Sequence, residues 1–470
     1  MARFGKTAGA AATYILLASL QRGMSLLILP FITHAMSPSE YGAASMLTAG
    51  SLLLTALVAA PLVQIIIRSA ARREEDGPAL LRAAGTYCYF IMPGAGVLAA
   101  VGVALLVPAA LGVPGSIWAI ELLAIGFQPA TSVFALWVAQ AREDFTKFAK
   151  LSLTSIVVTA ASKLVLVVIL NLGVFGWALA DLISAALSAV ISIWLVRLPR
   201  AAISPDHIRY IWRFSLPLIP HSASFWALAS LSRPAMAAVS TLDQVGILSF
   251  GLSLAQVAGL ILGEINRSVL PRYSREMLQA PTSETLGPVR WQLVSAFIIP
   301  AAVGLGVAVT GRWLFAEAFW QSFLLTGVLL VGQAAYGLYF IPMNYLTQTA
   351  GLPRYGALSS GAGAILVFVW ILALGHRYGA IGVAYATTAG YFVMAAVAAA
   401  LAGKYLDIAW RTWLVNWPEV ILAAGSLAFG VAALAVPLGS SLSWNFAGLC
   451  LALGLGASLV TVRSSRRSQG

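Results

Sequence analysis

A chain of 470 residues that is 60% hydrophobic and 9% charged stands far from the roughly 25% charged composition of a soluble domain, which excludes a soluble enzyme and leaves a polytopic membrane protein. The net charge of +12 does not point to nucleic acid, because Lys and Arg recur in short clusters between apolar runs instead of forming a patch or tail. Cys88 and Cys450 both sit in apolar segments, which argues against a disulfide framework.

A membrane-crossing helix needs about 20 mostly apolar residues. On that criterion the chain reads as about fourteen helices: roughly 8–34, 41–67, 83–107, 116–140, 148–170, 174–196, 212–238, 243–270, 289–311, 319–345, 355–375, 379–402, 414–436 and 443–462. Several long apolar runs are divided at Gly and Pro breaks such as Val107-Pro108 and Asn171-Leu172-Gly173. The first helix follows the N-terminal stretch with no small-residue cleavage site, so it is read as retained.

Basic residues fall in every second connection, as the positive-inside rule requires. Arg3 and Lys6 precede the first helix; Arg68, Arg72, Arg73 and Arg82 surround the second connection; Arg142, Lys147 and Lys150 the fourth; Arg197, Arg200, Arg209 and Arg213 the sixth. Arg272, Arg275 and Arg290 continue at the eighth, Arg354 at the tenth, Lys404 and Arg411 at the twelfth, and Arg463, Arg466 and Arg467 in the tail. The odd connections hold only Arg312 and Arg377, with Arg233 near the end of its helix. The expectation is that both termini are cytoplasmic. The connections are short, which leaves no room for a soluble catalytic domain, and the chain carries no large outer loop of the kind membrane glycosyltransferases and polymerases use.

The first half is echoed in the second. Ser37-Pro-Ser-Glu40-Tyr-Gly42 opens the second helix and Ser240-Thr-Leu-Asp243-Gln-Val-Gly246 the eighth, both read as capping boxes. Aligning Gly42 with Gly246 is an offset of 204 that also places Arg68 on Arg272, and Gly173-Val-Phe-Gly176 matches Gly379-Ala-Ile-Gly382 at an offset of 206. The reading is an all-α fold of two six-helix lobes, 1–200 and 201–405, with helices thirteen and fourteen and a basic tail in 406–470. Six is even, so the lobes share one orientation and are related by a pseudo-two-fold axis along the membrane normal, the architecture of an alternating-access transporter.

Ser37-Pro-Ser-Glu-Tyr-Gly42, Phe214-Ser-Leu-Pro217, Val245-Gly246, Asn266 with Pro271, and Tyr378-Gly-Ala-Ile-Gly382 carry a resemblance. The chain resembles the bacterial Wzx-type oligosaccharide flippases, translocases of O-antigen and exopolysaccharide repeat units in the multidrug/oligosaccharidyl-lipid/polysaccharide exporter superfamily. The resemblance implies transfer of an undecaprenyl-diphosphate-linked oligosaccharide across the bacterial inner membrane without catalysis, in concert with a polysaccharide polymerase and export machinery. Where such proteins often carry Asp-Arg late in the seventh helix, this chain has Ser232-Arg233.

Charges inside apolar segments mark cavities and pathways, because each costs roughly 2.5–3.5 kcal/mol at the bilayer centre even on the lenient insertion scale. Arg22, Lys163, Arg233 and Arg267 are the expected lining of a cationic cleft that would hold a diphosphate; for Arg233 and Arg267 the competing reading is snorkelling to an interface. Asp181 and Glu264 are the deepest acids, and two readings stay open for them, charge balance or coupling to H⁺ or Na⁺. Asp181 can reach Lys163 from the neighbouring helix, and Glu264 shares a helix face with Arg267. His221 lies one turn inside the seventh helix, as a packing residue or a titrating one. The four histidines form no metal-ligating pattern, and no resident cofactor is expected. Two rival functions remain: a small-molecule antiporter or peptidoglycan-precursor flippase of the same superfamily, and a membrane glycosyltransferase or polymerase.

Overall fold

The structure, a computed structural model, describes residues 23–24, 26–71, 76–216, 219–274, 283–406 and 417–467. Arg3, Lys6, Arg22, Arg72, Arg73, Arg275 and Arg411 lie outside these residues. The described chain is helical apart from one small hairpin, and divides into two compact units, Met1–Trp226 and Ala227–Gly470.

The first unit begins with α1 (Leu26–Ala35) and α2 (Pro38–Val58). Ser37 caps α2: its hydroxyl accepts from the Glu40 amide while the Glu40 carboxylate accepts from the Ser37 amide, so two orphan donors are satisfied reciprocally. The helix expected over 41–67 does not run through. It ends at Val58, passes through a short 3₁₀ turn, Ala60–Leu62, and resumes as α3 (Val63–Ala71). Pro61, which cannot donate to an i−4 carbonyl, sits in that turn.

The spans α4 (Gly77–Leu106) and α5 (Gly115–Ala141) are joined by the hairpin β1 (Ala109–Ala110) and β2 (Val113–Pro114). Its two-residue turn, Leu111 and Gly112, has φ of 52° and 78°, positive at both positions as a type I′ turn demands. Then come α6 (Phe145–Ile169), α7 (Gly173–Leu195) and α8 (Pro205–Ser215). α5 is the most enclosed of these spans and packs on α2, α4 and α7. It meets α4 at a glycine pair: a Cβ on Gly96 would lie 2.9 Å from the Gly126 Cα. Small residues that let backbones touch are the usual means of helix association where lipid removes the hydrophobic drive.

α8 corrects the reading of a single seventh helix over 212–238. Ser204 caps a separate amphipathic helix, with Pro205 at its first position and the His207 ring accepting from the Ser204 amide at 3.0 Å. The seventh segment follows as α9 (Ile219–Ser230) and α10 (Ser232–Ala237).

The second unit contains α10, α11 (Leu242–Tyr273), α12 (Ser283–Leu314), α13 (Ser322–Thr349), α14 (Arg354–Leu406), α15 (Trp417–Ala435) and α16 (Ser441–Arg467). α11 is capped by Thr241, which accepts from the Gln244 amide; this corrects the expected Ser240–Asp243 box by one residue. The shift brings the cap onto the 204-residue offset, with Thr241 matching Ser37 and Gln244 matching Glu40.

α14 merges the two expected helices across a kink at Gly379, whose φ is 55° and ψ −148°. Gln244 Oε1 accepts from the Ala380 amide at 3.0 Å beside that kink. In the first unit, Glu40 Oε1 lies against Gly173, whose φ is 52°. The repeat therefore extends to a shared device: the third residue of one helix reaches the left-handed glycine that opens another.

Eleven described helices are long and apolar enough to cross a membrane. Dividing α14 at its kink makes twelve, and α1 with the broken seventh segment brings the count to the expected fourteen. α15 and α16 pack against each other and against α12, with Ser426 donating to the Cys450 carbonyl at 2.8 Å.

Candidate functional site

The first unit encloses a polar cavity of about 230 Å³ among α2, α5, α6 and α7. Its lining includes the hydroxyls of Ser51, Ser132, Thr159 and Ser184 and the Gln128 amide, around three ionisable side chains, Glu121, Lys163 and Asp181. Helix geometry places them. In α7, Asp181, Ser184 and Ser188 succeed each other at spacings of three and four, one face of an α-helix; Ser155, Thr159 and Lys163, each four residues apart, share a face of α6.

Two π-helical segments border the cavity, Ala130–Ala135 after Pro129 in α5 and Leu164–Ile169 immediately after Lys163 in α6. A π segment locally re-registers the face that a helix presents and occurs often at functional sites. Thr131 and Ser132 of the first of these line the cavity.

Lys163 Nζ lies 3.0 Å from Asp181 Oδ1 and 3.5 Å from the centre of the Trp177 ring. The ammonium is thus held by a carboxylate and by the face of an indole, and only 8% of the residue is exposed. Glu121 is 2% exposed and its Oε2 has no hydrogen-bond partner among the described residues. It lies within electrostatic reach of both Asp181 and Lys163. Sequence reasoning passed over Glu121 because it falls only six residues after the start of α5, where position along the chain suggests an interface; packing against three neighbouring helices buries it instead.

The second unit holds the other candidates separately. Arg233 is buried in α10 and its charge reaches Tyr391. Glu264 and Arg267 form a 2.7 Å ion pair along α11, with side chains 26% and 53% exposed. The His221 side chain and Arg22 lie outside the described residues. Asn266, between Glu264 and Arg267 in sequence, joins a buried amide cluster: Gln292 Nε2 and Asn344 Nδ2 both donate to Asn266 Oδ1, at 2.9 and 2.7 Å, and the Tyr273 hydroxyl donates to Gln292. Tyr345 is 1% exposed and packs edge-on to Tyr273, and the Trp226 indole donates to the Ala49 carbonyl at 3.0 Å. No group of three or more His, Cys, Asp or Glu is placed to hold a metal among the described residues.

Solved structures share this fold. The lipid II flippase MurJ in an inward closed conformation matches with a TM-score of 0.70 at 12% identity, over 98% of this chain and 99% of that one. An inward-facing multidrug resistance MATE family transporter of the MOP superfamily matches at 0.63 and 12% identity, covering 82% and 94%. A MOP superfamily transporter from Pyrococcus furiosus matches at 0.52 and 15%, covering 85% and 96%. At these identities the likeness establishes the fold alone. No curated protein matches in sequence. The sequence profile described as "Polysaccharide biosynthesis protein" matches residues 32–315, more than half the chain, and the chain therefore belongs to the polysaccharide biosynthesis protein family.

Proposed function

We propose that this protein translocates an undecaprenyl-diphosphate-linked oligosaccharide repeat unit across a bacterial inner membrane by alternating access, supplying O-antigen or exopolysaccharide synthesis. The observation that carries the reading is the cavity of the first unit, lined by Ser and Thr hydroxyls and the Gln128 amide, in a chain of the polysaccharide biosynthesis family. Sugars present hydroxyls in every direction, and a surface of Ser, Thr and Gln groups exchanges donors and acceptors with them. At about 230 Å³ the cavity is smaller than the roughly 300–1,000 Å³ of small-molecule sites, so it would take one sugar residue of a longer chain. Arg22, Lys163, Arg233 and Arg267 would supply charge to the diphosphate, with no covalent step and no resident cofactor. H⁺ or Na⁺ would drive the cycle, with Asp181, Glu264 and His221 as coupling or charge-balancing groups. The termini would be cytoplasmic, and a polymerase and export machinery would take the product on the outer face.

The deciding experiment deletes the gene and measures lipid-linked oligosaccharide on each face of the inner membrane together with surface polysaccharide. The reading requires accumulation on the inner face and loss of surface polymer, restored by the wild type and not by Arg22→Gln at matched protein level. An unchanged pool in a strain without a second flippase would replace it with a small-molecule antiporter.

A further inference from the structure

One ammonium serves two acids in the cavity of the first unit. Lys163 is committed to Asp181 at 3.0 Å and braced by Trp177 at 3.5 Å. Glu121 lines the same cavity, is 2% exposed, and its Oε2 meets no hydrogen-bond donor among the described residues. With its Oε2 buried and no donor in reach among the described residues, the ionised carboxylate of Glu121 is costlier than the neutral acid, and Lys163 cannot neutralise both groups at once.

We propose that Glu121 carries an exchangeable proton and that Lys163 swings from Asp181 to Glu121 when the proton leaves. Charge and atoms balance. The resting cavity holds one ammonium, one carboxylate and one carboxylic acid, and is neutral. The Glu121 proton passes to water in the cavity, the ammonium keeps its own protons, and the cavity is left with one negative charge that now resides on Asp181. Asp181 thereby becomes available to the next proton or cation. The site is a switch with two states of different charge, which a membrane potential or pH difference can bias.

The elements packed against α5 supply few competing groups. Lys163 on α6 and Asp181 on α7 share the cavity with Glu121. On α2, Glu40 is bonded to Ser37 and Tyr41 packs edge-on to Trp177. On α4, the Tyr87 and Tyr89 hydroxyls donate to the carbonyls of Val58 and Ser192, and Cys88 is buried in the apolar core formed with Phe134 and Val138. On α3 the charged group is Arg68, in its last turn.

The test needs no substrate, so its outcome is independent of whether the protein moves an oligosaccharide. The purified full chain is held in nanodiscs, and the carbonyl stretch of a protonated carboxylic acid is followed by infrared difference spectroscopy as pH is varied. The expected result is a band present near neutral pH, lost on raising the pH, and absent from Glu121→Gln. Asp181→Asn weakens the band at the same pH, because the freed ammonium turns to Glu121. A wild-type band that is absent at neutral pH, or present and unchanged at every pH, or untouched by Glu121→Gln, overturns the proposal. Should Glu121→Gln fail to fold, Glu121→Asp decides: the acid is retained in a new position and the band shifts, whereas an unshifted band again overturns it.

Discussion

Two ion pairs, Lys163–Asp181 and Glu264–Arg267, have similar distances, 3.0 and 2.7 Å, and should differ greatly in energetic weight. Removing the ammonium in Lys163→Met strands Asp181 inside a helical unit, and losing one partner of a buried pair costs about 3–5 kcal/mol. Asp181 keeps 22% of its side chain exposed, so the lower end of that range is expected. The double variant Lys163→Met/Asp181→Asn should recover most of the loss, because it leaves no unpaired charge. Arg267→Gln, on a pair whose arginine is 53% exposed, should cost no more than about 0.2–1 kcal/mol. Thermal unfolding of the four proteins in one detergent checks this: equal losses in Lys163→Met and the double variant would show that the pair is not what holds the cavity. Both pairs were legible from sequence, one from helix spacing and the other from the proximity of two consecutive helices. Glu121 was not, because a single acid near a helix start gives no sign of how many neighbours will cover it.

At the scale of elements, turns and caps carried more information than the apolar runs between them. Run length located the helices but could not show that Pro61 interrupts one, nor that Ser204 and Pro205 open a separate amphipathic helix ahead of the seventh. The left-handed glycines give a direct check on the repeat. Gly173 and Gly379 hold φ of 52° and 55°, a region that costs a residue with a Cβ roughly 1–2 kcal/mol. A Cβ at either position also presses on a reaching side chain, Glu40 Oε1 for Gly173 and Gln244 Oε1, at 2.9 Å, for Gly379. Both Gly→Ala variants should therefore lower the melting temperature, while Gly102→Ala, near the C-terminal end of α4 with nothing within 4 Å of its new Cβ, should be neutral or gain up to about 1 kcal/mol. A loss at Gly102 equal to that at Gly173 would remove the argument.

The start of α6 should be sensitive to acid. The Asp144 carboxylate accepts from the Lys147 amide at 3.1 Å and lies 2.9 Å from its ammonium, and these bonds to Lys147 hold its carboxyl below the usual carboxylate range. A carboxyl depressed in the folded state contributes stability above its unfolded titration point and loses it as pH falls through the folded one. Hydrogen exchange at the first turn of α6 should accelerate as pH drops below about 4, after correction for the intrinsic rate, and Asp144→Ala should show the fast rate at every pH. A first turn equally protected on both sides of that range would assign the cap to other groups.

For the whole molecule, the distribution of basic residues makes a claim about orientation that the fold leaves to be measured. If the second, fourth and sixth connections face the cytoplasm, the hairpin between α4 and α5 lies outside and the segment before α8 lies inside. Leu111 in the hairpin is 41% exposed and Ile203 before α8 is 37% exposed, so a cysteine at either is open to reagent. The native cysteines give a quiet background, because Cys88 and Cys450 are 0% and 2% exposed. A membrane-impermeant maleimide should label Leu111→Cys in intact spheroplasts, and Ile203→Cys only after the membrane is opened. Charge counting bears on the orientation because the cost of carrying several arginines across a bilayer acts on the chain as it inserts, before the helices pack. The opposite labelling pattern would mean that the rule had been overridden. The first-unit cavity, including Glu121 and Lys163, would then face the reverse of the ion gradient on which the proposed proton exchange depends.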